Sequence, residues 1–187
     1  LPILTYRVIC GTDSEEIPVS LEGNSDSFRM KLSFLPNGNC VILPNINGRG
    51  YGFFKITEGE SSGLWSVLRS SEDEVLKGSL LITLYENLRW KTISPQGFRE
   101  EMLAYLPNES NSLLFSMALS YLGDCQRIFP SDSCPLEEAL WKIVTTNPVS
   151  QHRLQAFRLY RSIADSEEAV QRLYTLWQER KAPKDCT

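Results

Sequence analysis

The chain has 187 residues, 42% of them hydrophobic and 22% charged, which leaves room for one average domain or two modest subdomains. Nineteen Lys plus Arg against twenty-three Asp plus Glu give a formal charge of −4, so a nucleic-acid footprint would need a local basic patch, and no nucleic-acid partner is expected. The single histidine, His152, argues against a self-contained zinc hydrolase, which takes two or three histidines, or their cysteine substitutes, and an open position for water.

The first residues, Leu1-Pro2-Ile3-Leu4-Thr5-Tyr6, already read as a strand, as in a mature protein or an excised piece of one. Period-two alternation then marks Tyr6, Val8 and Cys10; Ile17, Val19 and Leu21, with Pro18 pointing to a sheet edge; and Phe28, Met30, Leu32 and Phe34. Asn39 to Leu43 and Gly50 to Ile56 are two further candidates, and Asn37-Gly38 is a hairpin turn signal because both residues tolerate positive φ. These strands predict a piece of a small antiparallel β-sandwich over residues 1–57.

Past Glu58-Gly59-Glu60-Ser61-Ser62-Gly63 the period becomes helical, and residues 58–187 predict an all-α, HEAT-like array of antiparallel helices, making the chain α+β. Leu80, Leu81, Leu84, Tyr85 and Leu88 form one stripe behind the acidic Glu72-Asp73-Glu74. Ser94-Pro95 opens a second helix as N-cap and first residue, with Phe98, Met102 and Leu106 on its buried face. Leu113 to Leu122 mark a third, which Gly123 is expected to end. Leu136, Leu140, Ile143 and Val144 mark a fourth, Asn147-Pro148 is expected to cap a fifth, and Asp165 with Glu168 reads as the start of a sixth, carrying Val170, Leu173, Tyr174 and Trp177.

No apolar run approaches the roughly 18 to 20 residues that cross a bilayer, and the first residues lack the basic and apolar stretches of a signal peptide. A soluble chain without a membrane span is expected, with the compartment open between cytoplasmic and periplasmic or extracellular. The five cysteines, Cys10, Cys40, Cys125, Cys134 and Cys186, define no disulfide framework. Cys125 and Cys134 could bridge across the loop between two helices, or join His152 as partial metal ligands, but ordinary buried or half-buried thiols are the preferred reading of all five.

None of the chemical constellations outweighs a structural explanation. Gly48-Arg49-Gly50-Tyr51-Gly52 runs into an aromatic stretch and opens no helix, so it reads as a tight turn and a close backbone approach, not a phosphate loop. Of the carboxylate pairs Glu15-Glu16, Glu100-Glu101, Glu137-Glu138 and Glu167-Glu168, three fall in the first helical turns, where the dipole accounts for them as solvated helix ends. Arg153, Arg158, Arg161, Arg172, Arg180 and Lys181 make the last helices locally basic, but Glu167, Glu168 and Glu179 among them favour surface ion pairing. No Gly-x-Ser-x-Gly elbow accompanies His152, which reads as a structural histidine.

Three stretches in order carry a family resemblance. Val41-Ile42-Leu43-Pro44-Asn45 followed by Gly48-Arg49-Gly50-Tyr51-Gly52-Phe53-Phe54, then Leu64-Trp65-Ser66-Val67-Leu68, then Lys77 to Leu106 with Leu84-Tyr85-Glu86-Asn87 and Ser94-Pro95-Gln96-Gly97-Phe98, resemble the C-terminal region of aminopeptidase-N-type zinc metallopeptidases. In that family a small β-sandwich follows the catalytic domain and leads into a helical superhelix. Its enzymes hold zinc through His-Glu-x-x-His plus a distant Glu and anchor the substrate amino terminus with Gly-x-Met-Glu-Asn; neither motif occurs here. The resemblance therefore implies no catalytic, cofactor-binding or metal-binding residue in this chain and no cofactor of its own, with zinc in the catalytic domain of the parent enzyme. It implies as partners that catalytic domain in the same polypeptide, and the peptide substrate in the chamber that the helices enclose. The alternative expectation is a stand-alone helical scaffold that docks a peptide or protein on its concave face.

Overall fold

The computed structural model describes residues 3–20, 31–36, 40–50 and 52–184. The chain divides into two compact units, Leu1–Ser94 and Pro95–Thr187. Together they make an α+β protein, and among the described residues no helix is long and apolar enough to cross a membrane.

In the first unit, β1 (Ile3–Cys10), β2 (Asp13–Ser20) and β3 (Cys40–Leu43) form an antiparallel sheet in the order β2-β1-β3. Gly11, at φ 64°, supplies the left-handed backbone of the β1–β2 turn. Leu4, Val8 and Cys10 alternate onto the buried face of β1, and Pro18 lies on β2 at the sheet edge, where a missing N–H is tolerated. The described strands make one sheet, with no second sheet facing it among the described residues.

Two expected strands are irregular over their described residues. Of the run Phe28 to Phe34, residues 28–30 lie outside the described residues, as do Leu21 and the Asn37-Gly38 turn; residues 31–34 are irregular, and Ser33 donates through N and Oγ to Glu15 at 2.7 and 2.9 Å. Residues 52–56 are irregular as well: Ile56 N and Phe54 O bond to the side chain of Asn87, and among the described residues neither pairs with a strand.

Cys10 and Cys40 form a disulfide between β1 and β3, at positions the register places opposite one another with Cα atoms 4.3 Å apart. This corrects the reading of all five cysteines as ordinary thiols. Cys125, buried, and Cys134, exposed, are both free and do not pair; Cys186 lies outside the described residues.

Helices α1 (Glu58–Ser70) and α2 (Glu74–Arg89) complete this unit. The segment Glu58–Gly63 is the first turn and a half of α1, fixed by a capping box in which Thr57 and Glu60 bond each other reciprocally. Asp73 caps α2 by accepting from Val75 N and Leu76 N. Leu64, Leu68, Leu80, Leu81, Leu84 and Leu88 are fully buried, each burial contributing about 1.5–3 kcal/mol.

The second unit holds α3 (Pro95–Tyr105), a short 3-10 turn (Leu106–Asn108), α4 (Ser112–Ile128), α5 (Cys134–Thr146), α6 (Ser150–Ile163) and α7 (Glu167–Gln178). α6 is central, packing against both α4 and α5. Gly123 does not end α4 but lies within it, facing α6; a Cβ there would come 2.9 Å from Leu159 Cδ1, so the glycine permits close helix approach. Asn147 caps no helix start: it is the C-cap of α5, and its Oδ1 accepts from Val149 N before α6 begins at Ser150. The N-cap of α7 is Ser166, one residue after Asp165.

Candidate functional site

Two side-chain constellations of the second unit hold the titratable and aromatic groups that could carry chemistry. The first surrounds His152 on α6, which is 1% exposed. Its ring stacks on Phe115 of α4 at 3.9 Å and 4°, and its Nε2 lies 3.1 Å from Ser112 Oγ. Glu109, also buried, accepts from the Tyr105 hydroxyl and, at 2.6 Å, from Asn111 N. Burial, reinforced by Glu109, pushes the Tyr105 hydroxyl well above its ordinary pKa.

A serine hydroxyl bonded to an imidazole is half of a hydrolase triad, but the supporting parts are committed elsewhere. The N–H groups of Leu113 and Leu114, which could stabilise an oxyanion at the start of α4, donate to Asn111 Oδ1 at 2.8 and 3.1 Å. The histidine is thus packed inside the second unit, against Phe115.

Burial lowers the His152 pKa below 6.5, an effect the nearby Glu109 partly opposes. The neutral ring is the form the fold favours, so below about pH 6.5 the unfolded chain binds more protons and stability declines. Thermal melts from pH 7.5 to pH 5 are expected to show a falling Tm, and His152→Gln should flatten that dependence.

The second constellation lies where α5, α6 and α7 meet. A groove of about 630 Å³ is lined by Trp141, Glu167, Glu168, Gln171, Arg172, Thr175 and Leu176. Arg172 lies at its centre: it donates to Glu138 at 2.7 Å and to Glu168, and its guanidinium carbon sits 5.5 Å from the centre of the Trp141 ring. Tyr160, fully buried, stacks obliquely on Trp141 at 5.2 Å. Its hydroxyl is raised by burial against the opposing charge of Arg172.

Beside the groove, Glu137 is 1% exposed, correcting the reading of its pair as a solvated helix end. It accepts from Asp165 N at 2.8 Å, Ser166 N at 3.3 Å and the Ser166 hydroxyl, and so holds the α6–α7 corner. Burial raises its carboxyl, but hydrogen bonds from Ser166, Asp165 and Ser133 outweigh that and hold it below the ordinary value.

The other residues weighed from sequence do not converge on either place. Arg153 donates from Nη1 to Asn147 O at 2.5 Å, Arg161 lies over Phe157, and Arg158 is exposed. Gly50 does serve a close approach: a Cβ there would lie 2.0 Å from Leu4 Cδ2. Among the described residues no group of three His, Cys, Asp or Glu is placed to hold a metal ion. Glu138 and Arg172, which sequence reading assigned to helix ends and surface pairing, meet 34 residues apart at the groove; their signal was only the stripe of α7 that also places Glu168 one turn before Arg172. The groove combines an apolar wall, an arginine paired to two carboxylates and an acidic rim.

No family model, curated protein or solved structure matches this chain.

Proposed function

We propose that this chain is the non-catalytic C-terminal region of a zinc aminopeptidase of the aminopeptidase-N type. Its sheet supports, and its HEAT-like helices enclose, the chamber in which the parent enzyme hydrolyses N-terminal peptide bonds. The observation that carries this reading is the joint between sheet and helices. The three polar side chains of that joint, Asn45, Ser79 and Asn87, all come from the stretches that resemble the family. Asn45 exchanges two hydrogen bonds with Gly50, at 2.7 and 3.0 Å, and its carbonyl accepts from Ser79 Oγ of α2 at 2.6 Å. Asn87 of α2 accepts from Ile56 N at 2.9 Å and donates to Phe54 O at 2.7 Å. A rigid joint of this kind suits a wall that must keep its place beside a reaction centre on another domain. Zinc and the catalytic groups belong, on this reading, to the catalytic domain of the same polypeptide, and the peptide substrate is handled in the shared chamber.

A second reading, a stand-alone module that binds a peptide or protein, is favoured by the groove at Trp141 and Leu176 with its acidic rim. Activity assays separate the two. The intact parent polypeptide should cleave aminoacyl reporter substrates in a chelator-sensitive manner, whereas the purified 187-residue chain should neither retain zinc nor turn them over. Zinc-dependent turnover by the isolated chain would overturn the proposal; a partner captured by a chain whose gene encodes nothing more would favour the module.

A further inference from the structure

Cysteine placement in the first unit is unequal in a way that bears on where the protein folds. Cys10 on β1 is buried and Cys40 on β3 is exposed, yet the antiparallel register sets them opposite each other, joined across a sequence separation of 30. β3 is only four residues long, and its ladder with β1 runs from Arg7↔Leu43 to Cys10↔Cys40, so the disulfide closes one end of a short pairing. The strand it fixes carries Val41, which packs on Gly63 of α1, and Leu43, which is fully buried, and it leads directly into the Asn45–Gly50 turn. The Val41–Gly63 contact and the bond from Ser79 to the Asn45 carbonyl, which join sheet to helices, therefore follow the docking of β3.

The two other described cysteines are poor competitors for that bond. Cys125 is buried, and burial raises its thiol against the opposing charge of Arg99. Cys134 is exposed, and its hydrogen bond with Asp132 raises its thiol, so little thiolate forms at neutral pH.

Disulfides form and persist in oxidising compartments and are rare where glutathione and thioredoxin keep thiols reduced. We infer that this chain matures in an oxidising compartment outside the cytosol, where a thiol–disulfide oxidant closes Cys10–Cys40 and thereby locks β3 onto β1. The accessible Cys40 thiolate attacks the oxidant's disulfide and releases one of its thiols. The Cys10 thiolate then displaces the second. In all, the chain loses two thiol protons and two electrons, and the oxidant's disulfide becomes two thiols. The inference does not rest on the function proposed above and extends to the stand-alone module equally.

The test uses the full chain, produced once with export to the bacterial periplasm and once in the reducing cytosol. One portion of each native sample is alkylated with excess iodoacetamide at mildly alkaline pH, where Cys134 forms enough thiolate to react, and mapped by mass spectrometry; another is melted with and without a phosphine reductant. In the exported chain Cys134 should be alkylated, while Cys10 and Cys40 should be recovered as one cross-linked peptide pair. Reductant should lower its Tm by about 10 °C or more. The cytosolic chain should melt at the lower temperature and rise on oxidation with glutathione disulfide. The double variant Cys10→Ser, Cys40→Ser should match the reduced chain and ignore reductant; if it fails to fold, reduced wild type supplies the comparison. Alkylation of Cys10 and Cys40 in the folded exported chain, or a Tm that reductant leaves unchanged, would overturn the inference.

Discussion

Replacing Asn87 with leucine is expected to destabilise the first unit by about 3–5 kcal/mol, the largest effect of any single side chain in it. Asn87 is fully buried on α2, and its amide is saturated: it accepts from Ile56 N and from the Thr92 hydroxyl at 2.6 Å, and donates to Phe54 O and Thr83 O. Leucine fills a similar volume but leaves the N–H of Ile56 and the carbonyl of Phe54 without the partner that replaces a neighbouring strand. Each such group costs about 1–3 kcal/mol when stranded away from water. Thr92→Val removes only one member of the network and should cost about 1 kcal/mol. Chemical denaturation followed by tryptophan fluorescence measures both; equal, small losses would show that the connector does not depend on Asn87.

The second large effect belongs to Gly63 in α1. A Cβ at this position would lie 2.6 and 2.8 Å from the two methyl carbons of Val41 on β3. Because valine is branched at Cβ and its Cβ is fixed by the strand, the neighbour cannot simply swing aside. Gly63→Leu is expected to cost about 3 kcal/mol by overpacking. Gly63→Ala should cost about 1 kcal/mol, since better helix propensity, worth about 1 kcal/mol, offsets part of the clash. Adding Val41→Ala to the Gly63→Ala chain should restore stability beyond that of either single variant, a coupling that denaturant melts of the four chains would reveal. Additive losses would mean that α1 does not rest on β3 through this contact.

The helices were largely legible because each carries its own periodic signal: apolar residues at helical spacing, with Asp73 and Ser94-Pro95 at the starts of α2 and α3. The errors came where a residue's role depends on a distant partner. Gly123 looks like a helix terminator, but its missing Cβ serves the approach of α6 at Leu159, which no local rule reports.

 The aromatic stretch before α1 has strand-like composition, yet the Asn87 side chain takes the backbone groups a sheet would have used. Glu137 carries the local pattern of a first-turn acid; only the fold brings Asp165 and Ser166 to it, 28 and 29 residues on in sequence. The disulfide was illegible for the same reason: an odd number of cysteines without a repeated spacing says nothing until the register of β3 on β1 is known.

The site was less legible than the fold. His152 reads as structural from sequence because no nucleophile motif accompanies it, and the structure buries it against Phe115 of α4. The groove at Trp141 and Arg172 could not be read in advance, since its walls come from separate helices and its charges neutralise one another across them.

The proposed role is tested most directly by sequencing the gene on the 5′ side of the Leu1 codon. A non-catalytic region of a zinc aminopeptidase predicts a continuous reading frame that encodes His-Glu-x-x-His, a distant zinc-binding Glu and a Gly-x-Met-Glu-Asn strand. A start codon at the head of this sequence, or a frame that leads into an unrelated domain, would contradict it.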